Sequence, residues 1–158
     1  ALTQVGNRRY TEARLYATFA EFEHHQFPFG ILFVDVDHFK SVNDTYGHDI
    51  GDHALCMVAK TLARNLRTFD FVGRWGGEEF LVLIMNVDGP KLAQVAEKLR
   101  VLIENSRFVA ENQEIRVTVS MGATVAQKGD TIEKLVKRAD RMLYASKEDG
   151  RNRVTMAS

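Results

Sequence analysis

Two groups of acidic residues in this sequence have the spacing of a cation site. The first, Asp35-Val36-Asp37, ends the apolar run 31–34, which is typical of a buried strand. The second, Gly76-Gly77-Glu78-Glu79-Phe80, places two carboxylates after a glycine pair, which predicts a tight hairpin turn with positive φ. Carboxylates at neighbouring strand ends suit Mg²⁺, which usually needs substrate phosphates to complete its shell. These residues therefore predict a metal-dependent nucleotide enzyme.

The spacing of apolar residues predicts the elements that must position these acids. A residue before proline is disfavoured in a helix, so the first helix should end before Phe27-Pro28. Asp130 with Glu133 predicts a capping box at the start of the last helix. The predicted elements are helices over 8–25, 54–66, 92–103 and from 132 to near Gly150, a strand over 29–36, a hairpin of 71–74 and 79–85, and a half-buried strand over 115–125.

The order of these elements is β-α-β-β-α-β with added helices at each end. This order predicts an α+β fold, a ferredoxin-like sandwich in which helices pack on one face of an antiparallel sheet. Nucleotide polymerase palms and class III adenylyl cyclases share this layout. The likeness is one of fold, so a function has to be argued from the site.

Several motifs in this sequence resemble those of the GGDEF family of diguanylate cyclases, in its GGEEF form. The resemblance extends over nearly the whole chain, although the family usually reads close to LTGLxNRR where this chain has Leu2-Thr3-Gln4-Val5-Gly6-Asn7-Arg8-Arg9. We interpret that departure as structural. Besides Gly76–Phe80, the matching segments are Leu2-Thr3 with Asn7–Arg9, Phe33–Lys40, Asn43-Asp44 with Gly47-His48, Gly51-Asp52, and Tyr144–Lys147 with Gly150–Val154.

The resemblance implies a diguanylate cyclase that condenses two GTP into cyclic di-GMP and releases two pyrophosphates. It implies two Mg²⁺ ions, for which Mn²⁺ can substitute, held by Asp35, the Val36 carbonyl, Glu78 and Glu79. The family assigns Glu78 as metal ligand, as general base, or as both. A carboxylate that touches Mg²⁺ is a weakened base, so these roles stay open. We interpret Asp37 as the N-cap of the following helix rather than a metal ligand.

The resemblance also implies the residues that bind GTP. Phe39 and Lys40 lie at a helix start, whose amides can hold phosphates, and Lys147 with Arg151 should share one face at a helix end and hold the triphosphate. Guanine recognition falls to Asn43 and Asp52, with His48 beside the nucleotide. From the residues alone, Asn43-Asp44 is typical of a simple turn and His48 of a helix start.

The segment Arg67-Thr68-Phe69-Asp70 matches the RxxD of the family's product-inhibition site, at the family's distance from the glycine pair. An arginine there can stack on guanine or bind its Hoogsteen edge. The alternative is a local ion pair at a helix end. We favour the inhibitory site for Arg67 and Asp70.

Length and composition restrict the class of protein. The 158 residues, of which 45% are hydrophobic, suit one domain with one core. The net charge of zero argues against nucleic acid as a partner, and no run of about 18 apolar residues predicts a membrane span. Cys56 is expected to be a buried structural thiol in a reducing compartment, which predicts a cytoplasmic domain.

The chain starts inside a family motif, which suggests a single domain excised from a larger sensor protein that could itself be membrane-anchored. The resemblance implies that two such domains meet face to face, as a homodimer driven by an upstream segment. Two competing hypotheses are a non-catalytic receptor for GTP or cyclic di-GMP and a cyclase that makes a mixed dinucleotide. Asp35, Glu78, Glu79 and Lys147 favour the enzyme over the receptor, and Asp52 favours guanine.

Overall fold

A computed structural model describes residues 3–157, so that Leu2 of the first motif lies outside the described residues. The elements follow one another largely as the apolar pattern predicts. The helices are α1 (Arg8–His25), α2 (Phe39–Tyr46), α3 (His48–Arg64), α4 (Gly89–Glu104) and α5 (Ile132–Glu148). The strands are β1 (Phe29–Val36), β2 (Phe71–Arg74), β3 (Glu79–Met85), β4 (Phe108–Ala110), β5 (Gln113–Ile115), β6 (Val119–Val125) and β7 (Val154–Met156).

The main sheet has five strands in the order β2-β3-β1-β6-β7. Strand β1 is central and runs antiparallel to both β3 and β6, whereas β7 joins the edge parallel to β6. With α3 and α4 as the two crossover helices, β1-α3-β2-β3-α4-β6 is the predicted ferredoxin-like unit, and the α+β fold is confirmed. Strands β4 and β5 form a separate hairpin that the sequence pattern did not predict.

Both faces of the sheet are covered by helices. The two helices of the ferredoxin-like unit, α3 and α4, pack on one face against residues such as Leu32 and Val82. The added helices α1 and α5 pack on the other face, against residues such as Ile31 and Leu83. Every residue of β1 is therefore buried, which explains why its sequence is apolar without alternation.

The prediction of one half-buried strand over 115–125 is wrong. Ile115 belongs to β5, and β6 begins only at Val119 and is buried on both faces. Its polar residues Ser120 and Thr124 are buried beneath α5, where Ser120 donates to Asp37 and Thr124 accepts from Arg138. Alternation of apolar and polar residues here reflects satisfied hydrogen bonds rather than a solvent face.

Helix α5 begins differently from the predicted capping box. Thr131 is its N-cap, and the Thr131 side chain accepts a hydrogen bond from the Lys134 amide. Asp130 instead accepts from the Arg138 guanidinium and from the Gln127 amide. Glycine at 122 lets α5 approach the sheet, since a Cβ there would lie 2.2 Å from both the Ala139 oxygen and the Leu143 nitrogen. This close contact sets the position of Lys147, which follows one helical turn later.

Two further findings concern the expectations from composition. Cys56 is half-buried on α3 rather than fully buried. Among the helices that the structure describes, none combines the length and the apolar composition that a membrane crossing requires.

Candidate active site

The ends of two central strands bring the predicted carboxylates together. In the β1–β3 ladder, Asp35 lies directly opposite Glu79. The Val36 amide donates to the Glu78 carbonyl at 3.1 Å, which extends the ladder past the end of β3. Because opposite residues of an antiparallel pair lie within about 5.5 Å of each other, the backbone holds these acids side by side.

The glycine turn differs from its prediction. Gly76 and Gly77 do not adopt positive φ, and the turn is closed by bonds from the Trp75 and Gly76 amides to the Glu79 carbonyl, at 2.8 and 3.2 Å. A Cβ on Gly77 would meet no atom within 4 Å, and one on Gly76 would come no closer than 3.8 Å to Glu79. The chain itself leaves this space open beside the carboxylates.

The Lys147 amine lies against Asp35, with its Nζ 2.6 Å from Oδ2. Burial raises the pKa of Asp35 above its ordinary value, and the contact with Lys147 opposes that rise only in part. Burial also raises the pKa of Glu79, from 4.5 to about 7, with the charges of Asp35 and Asp140 adding to the effect. Two acids therefore share one amine in a poorly solvated position.

The chemistry of this donor set fits a hard cation. Within residues 3–157 no group of three or more histidine, cysteine, aspartate or glutamate side chains is placed to hold a metal ion. The predicted carboxylate ligands therefore do not form a compact group of three here, and the metal site stays a prediction. The Lys147 amine lies against the Asp35 carboxylate. However, Asp35 and Glu79 supply oxygen ligands whose proton affinity is raised mainly by burial, with nearby acids adding to the effect, and a divalent cation would favour their charged forms.

Asp37 does not act as the predicted N-cap. Helix α2 begins after His38, which has φ of 54° and makes no capping hydrogen bond with its side chain. Asp37 is buried and accepts from the Thr118 and Ser120 hydroxyls at 2.7 and 2.6 Å, and from the Asn152 amide at 3.0 Å. Its carboxylate thus joins the end of β1 to β6 and to the loop after α5.

A cleft of about 180 Å³ opens beside these strand ends. Lys147 and Arg151 both line it, but not as two residues on one helical face, because α5 ends at Glu148 and Arg151 follows with φ of 65°. The Arg151 amide donates to the Ser146 carbonyl, which folds this residue back toward the cleft. The lining residues are Asp35, Val36, Asp37, His38, Phe39, Lys40, Glu78, Lys147 and Arg151.

The residues expected to bind guanine lie where α2 packs against α3, and none of them lines that cleft. The Asn43 Oδ1 atom is buried without a hydrogen-bond partner. It packs so closely on Gly51 that a Cβ on this glycine would lie 1.8 Å away. Asp52 follows Gly51 and is half-buried, and His48 is the exposed first residue of α3. An unpartnered buried acceptor beside a half-buried carboxylate fits a ligand that donates hydrogen bonds.

Arg67 and Asp70 form a local pair at a distance from the cleft. The Arg67 Nε and Nη2 atoms lie 3.0 and 3.2 Å from the Asp70 oxygens, and the guanidinium lies 4.8 Å from the Phe69 ring centroid. The Asp70 side chain is only 3% exposed and also accepts from the Met85 amide, whereas that of Arg67 is 48% exposed. The local ion pair is present, and it leaves one face of Arg67 accessible.

Comparison with known proteins agrees with this geometry. The family model described as diguanylate cyclase, GGDEF domain, matches residues 1–153. The chain belongs to the GGDEF domain family.

Relatives of this GGDEF domain include the response regulator PleD of Caulobacter vibrioides, which is 41% identical over 156 residues, 97% of this chain. Diguanylate cyclase A of Treponema denticola is 41% identical over 128 residues, 80% of this chain. The chain spans 34% of the length of each of these relatives. The GGDEF domain of DgcB from Caulobacter crescentus, solved in complex with cyclic di-GMP, superposes with a TM-score of 0.94 at 34% identity, over 99% of this chain and 90% of that one.

Three polar residues that support the site in this GGDEF domain were not singled out from the sequence. Thr118, Ser120 and Asn152 hold Asp37 through hydrogen bonds. The alternate polar positions 118 and 120, in an otherwise apolar segment, were the available signal. Asp140 on α5, whose charge raises the pKa of Glu79, had no signal because it is one acid among many on a charged helix.

Proposed function

We propose that this GGDEF domain is the catalytic domain of a diguanylate cyclase, which converts two GTP into cyclic di-GMP and two pyrophosphates. The observation that carries the proposal is the cross-strand pair of Asp35, which is buried, and Glu79, which is half-buried; both have raised pKa values and lie near the amine of Lys147. Burial disfavours the charged forms of these carboxyls, and a bound cation with substrate phosphates would stabilise those charged forms.

Each new bond forms when a ribose 3′-hydroxyl attacks an α-phosphorus, loses its proton and displaces pyrophosphate. Two Mg²⁺ ions, when bound, stabilise the attacking and leaving oxygens of such a displacement. Asp35, the Val36 carbonyl, Glu78 and Glu79 would hold these ions. Glu78 also lines the cleft and could accept the 3′ proton, as general base, as ligand, or as both.

Binding of the triphosphate would redistribute the charges around Asp35. Lys147 would leave its contact with Asp35 and, together with Arg151, bind the phosphates, since both side chains line the same cleft. Backbone amides at the start of α2, near Phe39 and Lys40, add donors at a helix N-terminus. The substrate thus replaces an internal ion pair by a metal and a phosphate contact.

Guanine specificity would rest on Asn43 and Asp52. The unpartnered Oδ1 of Asn43 and the carboxylate of Asp52 can accept from guanine N1–H and N2–H, which adenine does not offer. His48, the first residue of α3, would lie beside the nucleotide. A site built to receive donors rejects a ligand that lacks them by several orders of magnitude.

Cyclic di-GMP contains two phosphodiester bonds, and each domain would bind one GTP. Two domains must therefore face each other as a homodimer, so that each 3′-hydroxyl reaches the α-phosphate held by its partner. Arg67 and Asp70, which lie away from the cleft, would form an inhibitory site for the product, as the exposed face of Arg67 allows.

The decisive experiment identifies the product. The chain, fused to a parallel dimeric coiled coil, is incubated with GTP and Mg²⁺, and the nucleotides are identified by mass spectrometry. We expect cyclic di-GMP and pyrophosphate in a ratio of one to two, and none from the Asp35→Asn variant. A parallel incubation with ATP should give no cyclic dinucleotide. Unchanged GTP, bound by a folded dimer in the presence of Mg²⁺, would instead establish a nucleotide receptor.

A further inference from the structure

Arg8, the first residue of α1, contacts Trp75, the residue that precedes the glycine turn. Its Nη1 donates to the Trp75 carbonyl at 2.6 Å, and its guanidinium carbon lies 3.7 Å from the centroid of the Trp75 ring. Its Nε donates to Glu12 at 2.6 Å, which orients the guanidinium from within the same helix. Arg8 therefore contacts both the backbone carbonyl and the ring of Trp75.

The segment before α1 is attached to the same hairpin. Gly6 forms a parallel bridge with Gly73, and its carbonyl accepts from the Arg74 amide at 2.7 Å. Thr11 fills the space above Gly73, where a Cβ would lie 1.8 Å from the Thr11 hydroxyl. The start of α1 thus has a fixed position relative to β2, and Arg8 extends this contact to the turn.

Trp75 in turn contacts both strands that carry the acids. Its ring packs edge-on against Phe33, with ring centroids 5.5 Å apart, two residues before Asp35 on β1. Its amide donates to the Glu79 carbonyl across the turn. A displacement of Trp75 would therefore shift Glu79 relative to Asp35.

Within the turn, the Trp75 and Gly76 amides donate to the Glu79 carbonyl, and the Arg74 guanidinium donates to the Gly77 carbonyl. Gly76 and Gly77 have no side chains to pack, and the space around them is open. Glycine gives the backbone more freedom than any other residue, so contacts from outside the turn must fix its conformation. Arg74 supplies one such contact, to the Gly77 carbonyl, and Arg8 supplies both a stack and a carbonyl contact at Trp75.

We propose that Arg8 is a positioning residue for the reaction, which acts through Trp75 to hold the turn over residues 75–79 in register with the end of β1. The inference rests on the proposed cyclase activity. A misplacement of about 1 Å in a catalytic group can lower a rate about a hundredfold. Arg8 lines neither the cleft nor the α2–α3 contact, so the proposal predicts a loss in kcat rather than in GTP affinity.

The first measurement does not depend on activity. Trp75 is the only tryptophan in the sequence, so its fluorescence reports on this turn alone. In Arg8→Ala, we expect acrylamide to quench the emission at least about twofold more efficiently, since the stacked guanidinium no longer covers one ring face. Arg9→Ala is the matched control, because Arg9 is exposed and its side chain makes no hydrogen bond or ion pair with residues 3–157. Equal quenching in wild type and Arg8→Ala would overturn the stack.

The second measurement is steady-state kinetics on the dimerised chain. For Arg8→Ala we expect kcat to fall about tenfold, with KM for GTP within about twofold and an unchanged thermal midpoint. Arg8→Lys retains the charge but not the planar fork, so it should behave like Arg8→Ala. A wild-type kcat in Arg8→Ala, or full recovery in Arg8→Lys, would overturn the positioning role.

A third measurement separates this proposal from the proposed function. Mg²⁺ with GTP should change the Trp75 emission of the wild type, and the Mg²⁺ midpoint of that change should rise at least about fivefold in Arg8→Ala. If wild type makes no cyclic di-GMP, the cyclase proposal fails, and this titration still decides the role of Arg8. An unshifted midpoint would overturn the proposal whatever the product assay gives.

Discussion

Two carboxylate–cation pairs lie near the two ends of α5, and they differ in how completely their charges are balanced. Near the N-terminal end, Arg138 donates to both oxygens of Asp130 at 2.9 and 2.7 Å, to the Thr124 hydroxyl and to the Val125 carbonyl. Burial alone would raise the pKa of Asp130, but the hydrogen bonds from Arg138 and from the Gln127 amide, together with the charges of Arg138 and Lys134, outweigh it, and the pKa lies below its ordinary value. Asp130 and Arg138 are therefore fixed partners of each other.

Near the C-terminal end, one Lys147 amine faces two acids. It contacts Asp35, while Glu79 receives no side-chain hydrogen bond from residues 3–157, and both acids have raised pKa values. The same helix thus carries one balanced pair, which stabilises the fold, and one unbalanced cluster, which does not. Acids with raised pKa values at a strand end are typical of a binding or catalytic site, as the proposed function requires.

The largest expected effect comes from removing an acid at the unbalanced end. Glu79→Gln preserves size but removes one charge, so cyclic di-GMP formation should fall at least about a hundredfold. The melting temperature should stay the same or rise, because an unfavourable charge is lost. Mass spectrometry and thermal unfolding by circular dichroism measure the two quantities. Glu133→Gln is the control, because Glu133 is an exposed acid in the first turn of α5. Activity within about fivefold of wild type would show that Glu79 is not a ligand.

Removing the acid of the balanced pair, Asp130 with Arg138, should lower stability and leave activity nearly unchanged. Asp130→Ala leaves Arg138, whose side chain is 16% exposed, without its partner, at a cost of about 3–5 kcal/mol. The melting temperature should drop by roughly 10 °C, while cyclic di-GMP formation per folded molecule stays within about twofold.

A double variant tests the cause of that loss. Adding Arg138→Met to Asp130→Ala removes the unpaired charge, so part of the lost stability should return. Urea unfolding of the wild type, Asp130→Ala, Arg138→Met and the double variant gives the coupling free energy between the two residues. A double variant no more stable than Asp130→Ala would rule out the unpaired charge as the cause.

A smaller effect is expected in the pH dependence of stability. The pKa of Glu79 is raised from 4.5 to about 7, so the folded protein binds this proton more tightly than the unfolded chain does. Without Mg²⁺, the free energy of unfolding should therefore fall as the pH rises from about 4.5 to about 7, by no more than about 3 kcal/mol. The pKa of Asp130 is lowered from 3.8. Asp130 therefore adds to the free energy of unfolding above pH 3.8, and this contribution is lost as the pH falls below that value.

Urea unfolding between pH 5 and 8 separates the two acids. Glu79→Gln should flatten the profile in this range, whereas Asp130→Ala should lower it uniformly. A Glu79→Gln profile that keeps the full slope of the wild type would contradict the raised pKa of Glu79.

The smallest change in stability is expected at the third ion pair, Arg67 with Asp70. In Arg67→Ala, Asp70 still accepts from the amides of residue 67 and Met85, so stability should change by less than about 1 kcal/mol. Isothermal titration with cyclic di-GMP should show an affinity at least about tenfold weaker, because a guanidinium that can stack on guanine or bind its edge is lost. The uninhibited rate should stay within about twofold. Equal affinity in the two proteins would remove the inhibitory-site assignment.

Much of the candidate site could be predicted because its residues occur in continuous motifs. Asp35 and Glu79 each end or begin a strand that its own apolar residues define, so their approach follows once those strands pair. The fold class was predictable for the same reason, since the order of strands and helices admits few arrangements. The boundaries 8–25, 29–36, 71–74 and 79–85 match the structure.

Features that depend on contacts between distant residues could not be predicted. Asp37 seemed suited to cap the next helix, but its hydrogen bonds come from Thr118, Ser120 and Asn152. Similarly, Asp130 accepts hydrogen bonds from Arg138 instead of capping α5. In both cases a local pattern competes with a buried long-range bond, and the buried bond prevails because an unpaired buried charge is more costly than an uncapped helix.

The sequence by itself determined β1, β2, β3, the four long helices, the acids at the strand ends and the family, because these depend on periodicity and on residue types over short distances. It did not determine the hairpin of β4 and β5 or the start of β6. The tertiary structure alone decided which acid has a balancing cation and which does not. Lys147 reaches Asp35 only because Gly122 lets α5 approach the sheet, and Arg8 reaches Trp75 only because the start of α1 pairs with β2. Electrostatic balance depends on distances of a few ångströms between residues far apart in the chain, and only packing sets those distances.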